Sequence, residues 1–259
     1  MTTLRLAALA WGVAVSASVY AAPLITAEVM GSVRTPGTLA VVSGTRLSDA
    51  ALAGAPDEHS YMLGAALLRR SELIPQTRLK TGLLFDLDVL ETRSNSDPDA
   101  VAVASIIAKE LSAMPVTGRV RQSLDPRSLE IDLSSNQLVA DGDKLHYPTR
   151  PSTVDVLGAV KARCSLPYIP LEQPNAYARH CPALGAASKD DLFVVQPDGA
   201  VEKLGIALWN RSPESTVAPG AIIFVPLNAK LMRDINPDFN EDVARFLATQ
   251  VLDAPGASK

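Results

Sequence analysis

The apolar residues of this chain fall into short strand-like runs interrupted by glycine, and one such pattern occurs twice. Three segments recur: "VMGSV" (29–33) as "VLGAV" (156–160), "LGAAL" (63–67) as "LGIAL" (204–208), and "GDKLHYP" (142–148) as "GAIIFVP" (220–226). The three pairs occur in the same order along the chain. An ordered internal repeat predicts two related domains.

Each copy of the repeat predicts a small α+β sheet with a helix laid across it. In the first copy, Pro36–Gly37 forms a tight turn between the strands "EVMGSV" and "LAVV". Thr45 is the predicted N-cap of a short helix that ends at Gly54. In the second copy, "DLFVVQPDGAVEKLG" predicts a hairpin that turns at 197–199.

The spacing of the repeated segments predicts a long insertion in the first copy. The segment 64–142 is 63 residues longer (78 − 15) than its apparent counterpart 205–220. The segment 158–205 is likewise 14 residues longer (47 − 33) than 31–64. The resulting domain bounds are 24–149 for the first domain, with its insertion at about 70–140, 150–228 for the second, and 229–259 for a C-terminal helix and tail.

The inserted segment predicts two helices followed by a hairpin. Four leucines share one face of the first helix: Leu79, Leu83, Leu87 and Leu90. Asp97 caps the second helix and Pro98 occupies its first turn. The apolar stripe of that helix comprises Val101, Ala104, Ala108 and Leu111. The hairpin is predicted to turn near Asp125–Pro126, and both stripes are interpreted as packing surfaces rather than ligand sites.

The last segment predicts an amphipathic helix that begins near Asp238. Its apolar face contains five residues: Phe239, Val243, Phe246, Leu247 and Val251. The helix either docks on its own domain or contacts a partner groove or a membrane surface. Its only cation is Arg245, which argues against the membrane alternative.

The beginning of the chain is apolar and nearly uncharged. An uncharged run from Leu6 to about Ala22 follows Arg5 and ends in small residues. This pattern predicts a secretory signal peptide over 1–21 that is cleaved after Ala21. An uncleaved anchor helix is the alternative, although the run is short for a membrane span. We therefore expect the mature protein in the periplasm or outside the cell.

The chain has two cysteines, Cys164 and Cys181. In an oxidising compartment two cysteines this close together favour a disulfide. Two buried thiols or a redox site are the alternatives, and the absence of a C-x-x-C spacing argues against the redox site.

The net charge and the absence of catalytic motifs argue against several classes of function. A net charge of −4 argues against a nucleic-acid binder. The histidines His59, His146 and His180 share no metal-ligand spacing, and the chain has no nucleophile elbow or phosphate-binding glycine loop. We therefore expect no metal site, no cofactor and no enzyme activity. Two acidic side chains in a cleft, as in a glycan-modifying hydrolase, are the alternative, but capping and solvation explain "FDLD" and "SDPD".

Three arginines are the candidate ligand-binding residues. Arg119 and Arg121 lie two positions apart and are predicted to share one side of a strand, and Arg150 follows "YPT". Guanidinium groups bind carboxylates well, including those of acidic sugars. A solvated strand face or an interdomain ion pair is the alternative.

The repeat resembles a known binding module. "V-x-G-x-V-x-x-P-G" followed by "G-T-R-L-S-D-A" resembles the soluble-ligand-binding β-grasp module of polysaccharide export channels. The whole mature chain resembles the periplasmic GfcC-like capsule-biosynthesis family. Four segments carry this resemblance: "PVTGR", "LVADGDKLHYPTRPSTVDVLGAV", "DLFVVQPDGAVEKLGIALWN" and "APGAIIFVP".

The resemblance implies two β-grasp domains, an inserted helical and hairpin element, and a C-terminal helix. It implies a periplasmic accessory role in capsule or exopolysaccharide biosynthesis or export, without established catalysis. The implied partner is a polysaccharide or an outer-membrane export-channel component, and Arg119 becomes the first candidate for a functional pocket. A scaffold that docks through its C-terminal helix is a further alternative. The second copy departs from the pattern, because Cys164 in "ARCSL" stands where the first copy has Gly37.

Overall fold

A computed structural model describes residues 22–93 and 97–252 of the chain. The predicted signal peptide and its cleavage after Ala21 lie outside the described residues. The described chain contains two five-stranded mixed sheets and several helices, which confirms the α+β class with two β-grasp domains. Among the described helices, none combines the length and the apolar character needed to cross a bilayer.

The first sheet is built by the N-terminal half of the chain. Its elements are β1 (Leu24–Gly31), β2 (Gly37–Val42), α1 (Leu47–Gly54), a 3-10 turn (Met62–Gly64), β3 (Ala66–Leu68), a second 3-10 turn (Arg70–Glu72), α2 (Leu73–Arg93), α3 (Pro98–Ala113), β4 (Arg119–Val120), α4 (Pro126–Ile131) and β5 (Asp143–Tyr147). The strand order is β2-β1-β5-β3-β4. β1 and β5 are parallel, and the other neighbours are antiparallel.

The second sheet repeats this arrangement. Its elements are β6 (Thr153–Gly158), β7 (Cys164–Pro167), α5 (Pro174–Arg179), β8 (Asp191–Val195), β9 (Val201–Gly205) and β10 (Ile222–Val225), followed by α6 (Ala229–Met232) and α7 (Phe239–Leu247). The strand order is β7-β6-β10-β8-β9, with β6 parallel to β10. The two sheets therefore share one topology, and the predicted order of strand, strand, helix, strands holds in both.

The repeated glycine of "V-x-G-x-V" has the same structural role in both copies. Gly31 and Gly158 end the first strand of each sheet with positive φ angles of 92° and 105°. A Cβ on Gly31 would lie 2.0 Å from the carbonyl oxygen of Tyr147, and one on Gly158 would lie 2.3 Å from that of Val225. Only glycine permits both this backbone conformation and this close approach to the neighbouring parallel strand.

The middle pair of repeated segments is not structurally equivalent. Gly64 precedes β3, whereas Gly205 ends β9, the counterpart of β4. β3 starts 24 positions after the end of β2 (66 − 42), and β8 starts 24 positions after the end of β7 (191 − 167). The predicted 14-residue extension of the second copy is therefore wrong. The insertion lies between β3 and β4, where the second copy has the short β8–β9 turn. β4 starts 51 positions after the end of β3 (119 − 68), whereas β9 starts 6 positions after the end of β8 (201 − 195). The insertion is therefore 45 residues long (51 − 6) rather than the predicted 63.

Two local predictions, the N-cap of α1 and the hairpin after β4, were wrong. Helix α1 is preceded by Arg46 as N-cap residue, while the Thr45 hydroxyl donates to the carbonyl of Val42 at 2.7 Å. The segment after β4 is not a hairpin, since Asp125 caps helix α4 by accepting from the Arg127 amide at 3.2 Å. Aspartate followed by proline starts a helix here, as it also does at Asp97.

The two inserted helices form as predicted, but the buried face of α3 is rotated relative to the predicted stripe. Leu83, Leu87 and Leu90 of α2 are buried, and Leu79 packs against them. The Asp97 side chain accepts hydrogen bonds from the amides of the first turn of α3. The buried face of α3 comprises Ala100, Val103, Ala104, Ile107 and Leu111, so the predicted stripe members Val101 and Ala108 lie at its edge.

The inserted helices pack on the second sheet, not on the sheet that they interrupt. α3 contacts β6, α7 contacts β8, and α2 contacts both α3 and α7. One large core therefore joins the second sheet to the insertion and the C-terminal helix, while a smaller core fills the first domain. The four residues 192–195 of β8 are all buried, because both faces of this strand are covered.

The C-terminal helix docks on its own chain. Helix α7 starts after Asp238, and Phe239, Val243 and Phe246 are 0 % exposed. Leu247 is also buried, and only Val251, beyond the helix end, is partly exposed. These four residues therefore follow the alternative in which the helix docks on its own chain, because their side chains pack in the core.

Candidate functional site

Arg119 joins three parts of the molecule. It lies in β4, at the edge of the first sheet, and its side chain is buried, with 7 % of the residue exposed. Its guanidinium donates to the carbonyl oxygen of Pro197, in the β8–β9 turn, and to that of Gln250, after α7, at 2.7 Å. Arg119 therefore connects the first domain to the second domain and to the C-terminal segment.

The environment of Arg119 is unfavourable for its charge. Burial lowers the pKa of this guanidinium to about 10, and the nearby carboxylate of Asp198 only partly opposes the shift. In the described part of the chain, Nε of Arg119 has no hydrogen-bond partner, whereas both Nη atoms bind carbonyl oxygens. The residue is thus mainly a positioning group, since its bound Nη atoms hold backbone carbonyls of two other segments.

The backbone around Arg119 is also held by side chains. Gln76 of α2 donates to the Arg119 carbonyl at 2.9 Å and accepts from the Gly118 amide at 2.8 Å. The Thr117 hydroxyl donates to the carbonyl of Thr249 at 2.6 Å. The segment "TGR" is therefore fixed on one side by the inserted helix and on the other by the C-terminal segment.

Arg121 and Arg150 are exposed, unlike Arg119. Arg121 lies just outside β4, and its Nη2 is 3.9 Å from the carboxylate of Asp198. The guanidinium carbon of Arg150 lies 5.7 Å from the centre of the Tyr61 ring, which is a cation–π distance. Both arginines therefore have surface partners and keep donors facing solvent.

An interdomain cleft brings these exposed arginines together. It consists of two adjoining cavities, of about 460 Å³ and 380 Å³, which share Leu63 and Asp198. The first is lined by Tyr61, Arg150, Tyr168, Gln196 and the segment 216–219, and the second by Met62, Ala65, Arg121, Gln122 and Ser123. Arg119 lines neither cavity, but it binds the turn that carries Asp198.

The walls of the cleft are tied across the domain interface. The Tyr61 hydroxyl donates to the carbonyl of Pro219 at 3.1 Å. Burial raises the pKa of Tyr61, and the charge of Arg150 opposes this shift. Gln196 donates to the carbonyl of Thr216 at 2.7 Å and accepts from the Ala218 amide at 3.1 Å, which fixes the opposite wall.

Several residues of the cleft were not predicted from the sequence. Tyr61, Tyr168 and Gln196 carry no motif, and they come from three separate connections. The sequence pattern places Asp198 only in a turn. Its turn position at the end of a hairpin was the one available signal, because loop tips on a rigid scaffold often carry binding groups.

The two cysteines form the predicted disulfide, at the far edge of the second sheet from β9. Cys164 pairs with Val156 in the β6–β7 ladder, just as Gly37 pairs with Val29 in the β1–β2 ladder. Cys181 follows α5 and is buried. The bridge therefore ties the outer strand to the helix of the second copy.

Comparison with known families assigns the chain. A model described as "Capsule biosynthesis GfcC, N-terminal" matches residues 27–147, and one described as "Capsule biosynthesis GfcC C-terminal" matches residues 162–252. The chain belongs to the capsule-biosynthesis GfcC family. The GfcC N-terminal match contains Arg119, and the C-terminal match contains its partners Pro197 and Gln250.

A curated relative is similar along most of its length. The Escherichia coli K12 protein called "Uncharacterized protein YjbG" is 25 % identical over 193 residues, which are 74 % of this chain and 78 % of that protein. Its name describes no activity, so the GfcC family assignment rests on the two matched regions and implies a role in the capsule or exopolysaccharide pathways.

Proposed function

We propose that this protein is a non-catalytic periplasmic accessory protein of capsule or exopolysaccharide biosynthesis or export, and that it binds an acidic glycan segment in the interdomain cleft. The observation that carries the proposal is the convergence of Arg121 and Arg150 on two adjoining cavities between the β-grasp domains. The periplasmic location is consistent with the disulfide, since such bonds persist in oxidising compartments.

The chemistry of the cleft suits a carboxylated sugar. Arginine binds a carboxylate through two parallel hydrogen bonds, and both cleft arginines are held only by weak surface contacts that a ligand can replace. The rings of Tyr61 and Tyr168 line the larger cavity and offer apolar surface to a sugar ring. The volumes of the two cavities lie in the range of about 300–1,000 Å³ that is usual for small-ligand sites.

The acidic groups of the cleft support binding over hydrolysis. Most glycosidases use two carboxylates roughly 5 to 10 Å apart, on either side of the scissile bond. Among the described residues that line the two cavities, Asp198 is the only one with a carboxylate, and it faces Arg121. This arrangement supports a binding role for the cleft.

Calorimetric titration with oligogalacturonate, a chain of carboxylated sugars, tests the proposal. We expect binding to the unmodified protein that weakens at least about tenfold in Arg150→Ala and in Arg121→Ala, because each removes a charge-assisted hydrogen-bond donor. Neutral malto-oligosaccharide of equal length should bind much more weakly. Arg34→Ala, at an exposed arginine outside the cleft, is the matched control and should bind normally.

Two outcomes would contradict this function. Equal affinity of the unmodified protein and the double variant Arg121→Ala/Arg150→Ala would remove the cleft as the glycan site. If the protein releases new reducing ends from the oligogalacturonate and Asp198→Asn abolishes this release, the protein is a hydrolase rather than a binding protein.

A further inference from the structure

A cavity of about 410 Å³ lies on the first sheet, on the face opposite to the core of the first domain. Leu145 of β5 belongs to that core, and side chains alternate between the two faces of a strand. Its neighbours Lys144 and His146 therefore face the other way, and both line the cavity. Leu68, opposite Lys144 in the β3–β5 ladder, lies on the same face. We call this space the sheet cavity, and it shares no lining residue with the interdomain cleft.

The second copy of the repeat has apolar residues at the equivalent positions. In the matching segments "GDKLHYP" and "GAIIFVP", Ile222 stands where the first copy has Lys144, and Phe224 stands where it has His146. Phe224 belongs to the core that joins the second sheet to the inserted helices and α7, and Ile222 packs against that core. The first copy therefore has two basic side chains where the second has two apolar ones, and its sheet is left open as a cavity at this point.

The apolar part of the sheet cavity suits a hydrocarbon chain. Its walls come from β1, β3, the start of α2, the segment before β4 and the segment after α7: Met30, Leu68, Leu73, Pro115, Val116 and Val251. The described lining residues include no phenylalanine, tyrosine or tryptophan on which a sugar ring could stack. The Thr117 hydroxyl, also in the lining, already donates to the Thr249 carbonyl at 2.6 Å. Flexible aliphatic side chains adapt to an alkyl chain, whereas buried sugar hydroxyls need hydrogen-bond partners.

The charged part of the sheet cavity is of one sign. The ionisable side chains among its described lining residues are all basic: Arg69, Arg70, Lys144 and His146. Arg69 is bound by the buried carboxylate of Asp143, and Lys144 by that of Glu28 at 2.8 Å. Nε2 of His146 lies 2.8 Å from the carbonyl oxygen of Leu252. These contacts make Arg70 the main candidate for binding an anion.

Arg70 is exposed and lies against the wall of the sheet cavity. Its side chain is 72 % exposed, and Nη1 lies 3.9 Å from the carboxylate of Asp141, a surface contact that a ligand can replace. A Cβ on Gly142 would lie 2.5 Å from the guanidinium carbon of Arg70, so the guanidinium lies directly on the backbone of this glycine. A guanidinium can form two parallel hydrogen bonds to the oxygens of a carboxylate or a phosphate.

We propose that the sheet cavity binds a single-chain lipid anion, an unbranched alkyl chain that ends in a carboxylate or a phosphate monoester. The chain lies against the apolar walls, and the anionic head lies at the exposed side, where Arg70 binds it and Lys144 adds positive charge. Charge complementarity selects this ligand, because the basic lining attracts an anion and repels an alkylammonium ion. The volume lies within the range of about 300–1,000 Å³ that is usual for small-ligand sites.

Calorimetric titration with octanoate and with octyl phosphate, both as monomers in solution, tests the proposal. We expect a dissociation constant below about 1 mM, and a tightening of up to about fourfold for each methylene added between hexanoate and octanoate. 1-Octanol and octylammonium should bind at least about tenfold more weakly, because neither can accept hydrogen bonds as an anion does. Acetate and inorganic phosphate should not bind, because they lack the chain. Tighter binding of octyl phosphate would identify a phospholipid-like ligand, and tighter binding of octanoate would identify a fatty acid.

Four variants locate the ligand. Arg70→Gln should weaken octanoate binding about tenfold and leave 1-octanol binding unchanged, because it removes only the partner of the anionic head. Arg127→Gln, at an exposed arginine of α4 on the core side of the sheet, is the matched control and should bind octanoate normally. Leu73→Glu, at a partly exposed wall residue, should abolish binding of both ligands. Arg121→Ala/Arg150→Ala should bind octanoate normally, which separates this site from the interdomain cleft.

Several results would overturn the proposal. Equal affinity for octanoate and 1-octanol would show that no anion is recognised, and equal affinity for octanoate and acetate would show that the apolar walls bind no chain. Octanoate binding that is unchanged in Leu73→Glu would place the ligand elsewhere. Sedimentation of the protein with phosphatidylglycerol vesicles, without binding of octanoate or octyl phosphate in solution, would replace the cavity by a membrane surface. Circular dichroism of each variant should match that of the unmodified chain, which excludes misfolding as the cause of lost binding.

Discussion

Nη1 of Arg119 lies 2.7 Å from the carbonyl oxygen of Gln250, although 131 positions separate the two residues. The same guanidinium binds the Pro197 carbonyl, so one buried side chain fixes the edge of the first sheet, the β8–β9 turn and the C-terminal segment together. The relation explains why the cleft has a defined shape, since Asp198 follows directly on Pro197.

Arg119→Met should lower the free energy of unfolding by about 3 kcal/mol, because it leaves buried carbonyl oxygens without donors. Hydrogen exchange at residues 248–250 should accelerate more than at α2. Urea denaturation and exchange mass spectrometry measure the two effects. Arg34→Met, at an exposed arginine, is the control and should change stability by less than about 0.5 kcal/mol. Unchanged exchange at 248–250 would show that Arg119 does not hold this segment.

The ion pair of Arg69 and Asp143 should be strongly coupled. Asp143 is 0 % exposed and accepts from Nε of Arg69 at 3.0 Å and from Nη2 at 2.7 Å. We expect Arg69→Met and Asp143→Asn each to cost about 3 kcal/mol, and the double variant to cost less than their sum, because a single substitution leaves a buried charge unpaired. A double-mutant cycle by urea denaturation measures the coupling, and simple additivity would contradict it.

The disulfide should stabilise the second domain. Cys164 and Cys181 close a loop with a sequence separation of 17, for which the chain-entropy estimate is about 3 kcal/mol. Cys164→Ser should lower the midpoint of thermal unfolding to the value that the unmodified protein has under reducing conditions. Cys164→Ser/Cys181→Ser should behave as the single variant does. A large additional loss in the double variant would point to packing at Cys181 rather than to the bridge.

Glu110 should make stability depend on pH. Burial raises the pKa of Glu110 above its ordinary value of 4.5, and the charge of Arg163 opposes this shift. Its Oε2 is buried and has no hydrogen-bond partner within the described residues. The folded protein therefore holds this proton more tightly than the unfolded chain, and the stabilisation present below pH 4.5 is lost as pH rises through the raised pKa.

Glu110→Gln tests this dependence. The variant should be more stable than the unmodified protein at pH 7.5 and about equally stable near pH 4, where the carboxyl is mostly protonated in both states. Denaturation midpoints at both pH values measure the difference. Glu58→Gln, whose side chain is 87 % exposed, should show no such dependence. A stability difference that is the same at both pH values would contradict the assignment.

Local sequence patterns predicted much of the fold. The glycines of "V-x-G-x-V", the cap at Asp97 and the leucine face of α2 depend on near neighbours, and the structure has each of them. The patterns gave wrong predictions where one short motif is compatible with two different local structures. "LG-x-A-L" precedes a strand in one copy and follows a strand in the other, and Asp125–Pro126 starts a helix instead of turning a hairpin.

The sequence by itself determined the repeated order of elements, the family and the pairing of the two cysteines, because strand spacing, turn residues and cysteine count are properties of the chain. Only the tertiary structure decided that the helices inserted in the first domain pack on the second, and that Arg119 is buried while Arg121 and Arg150 are exposed. The partners of Arg119 are 78 and 131 positions away, and contacts at that distance depend on how two sheets meet, which no local periodicity encodes.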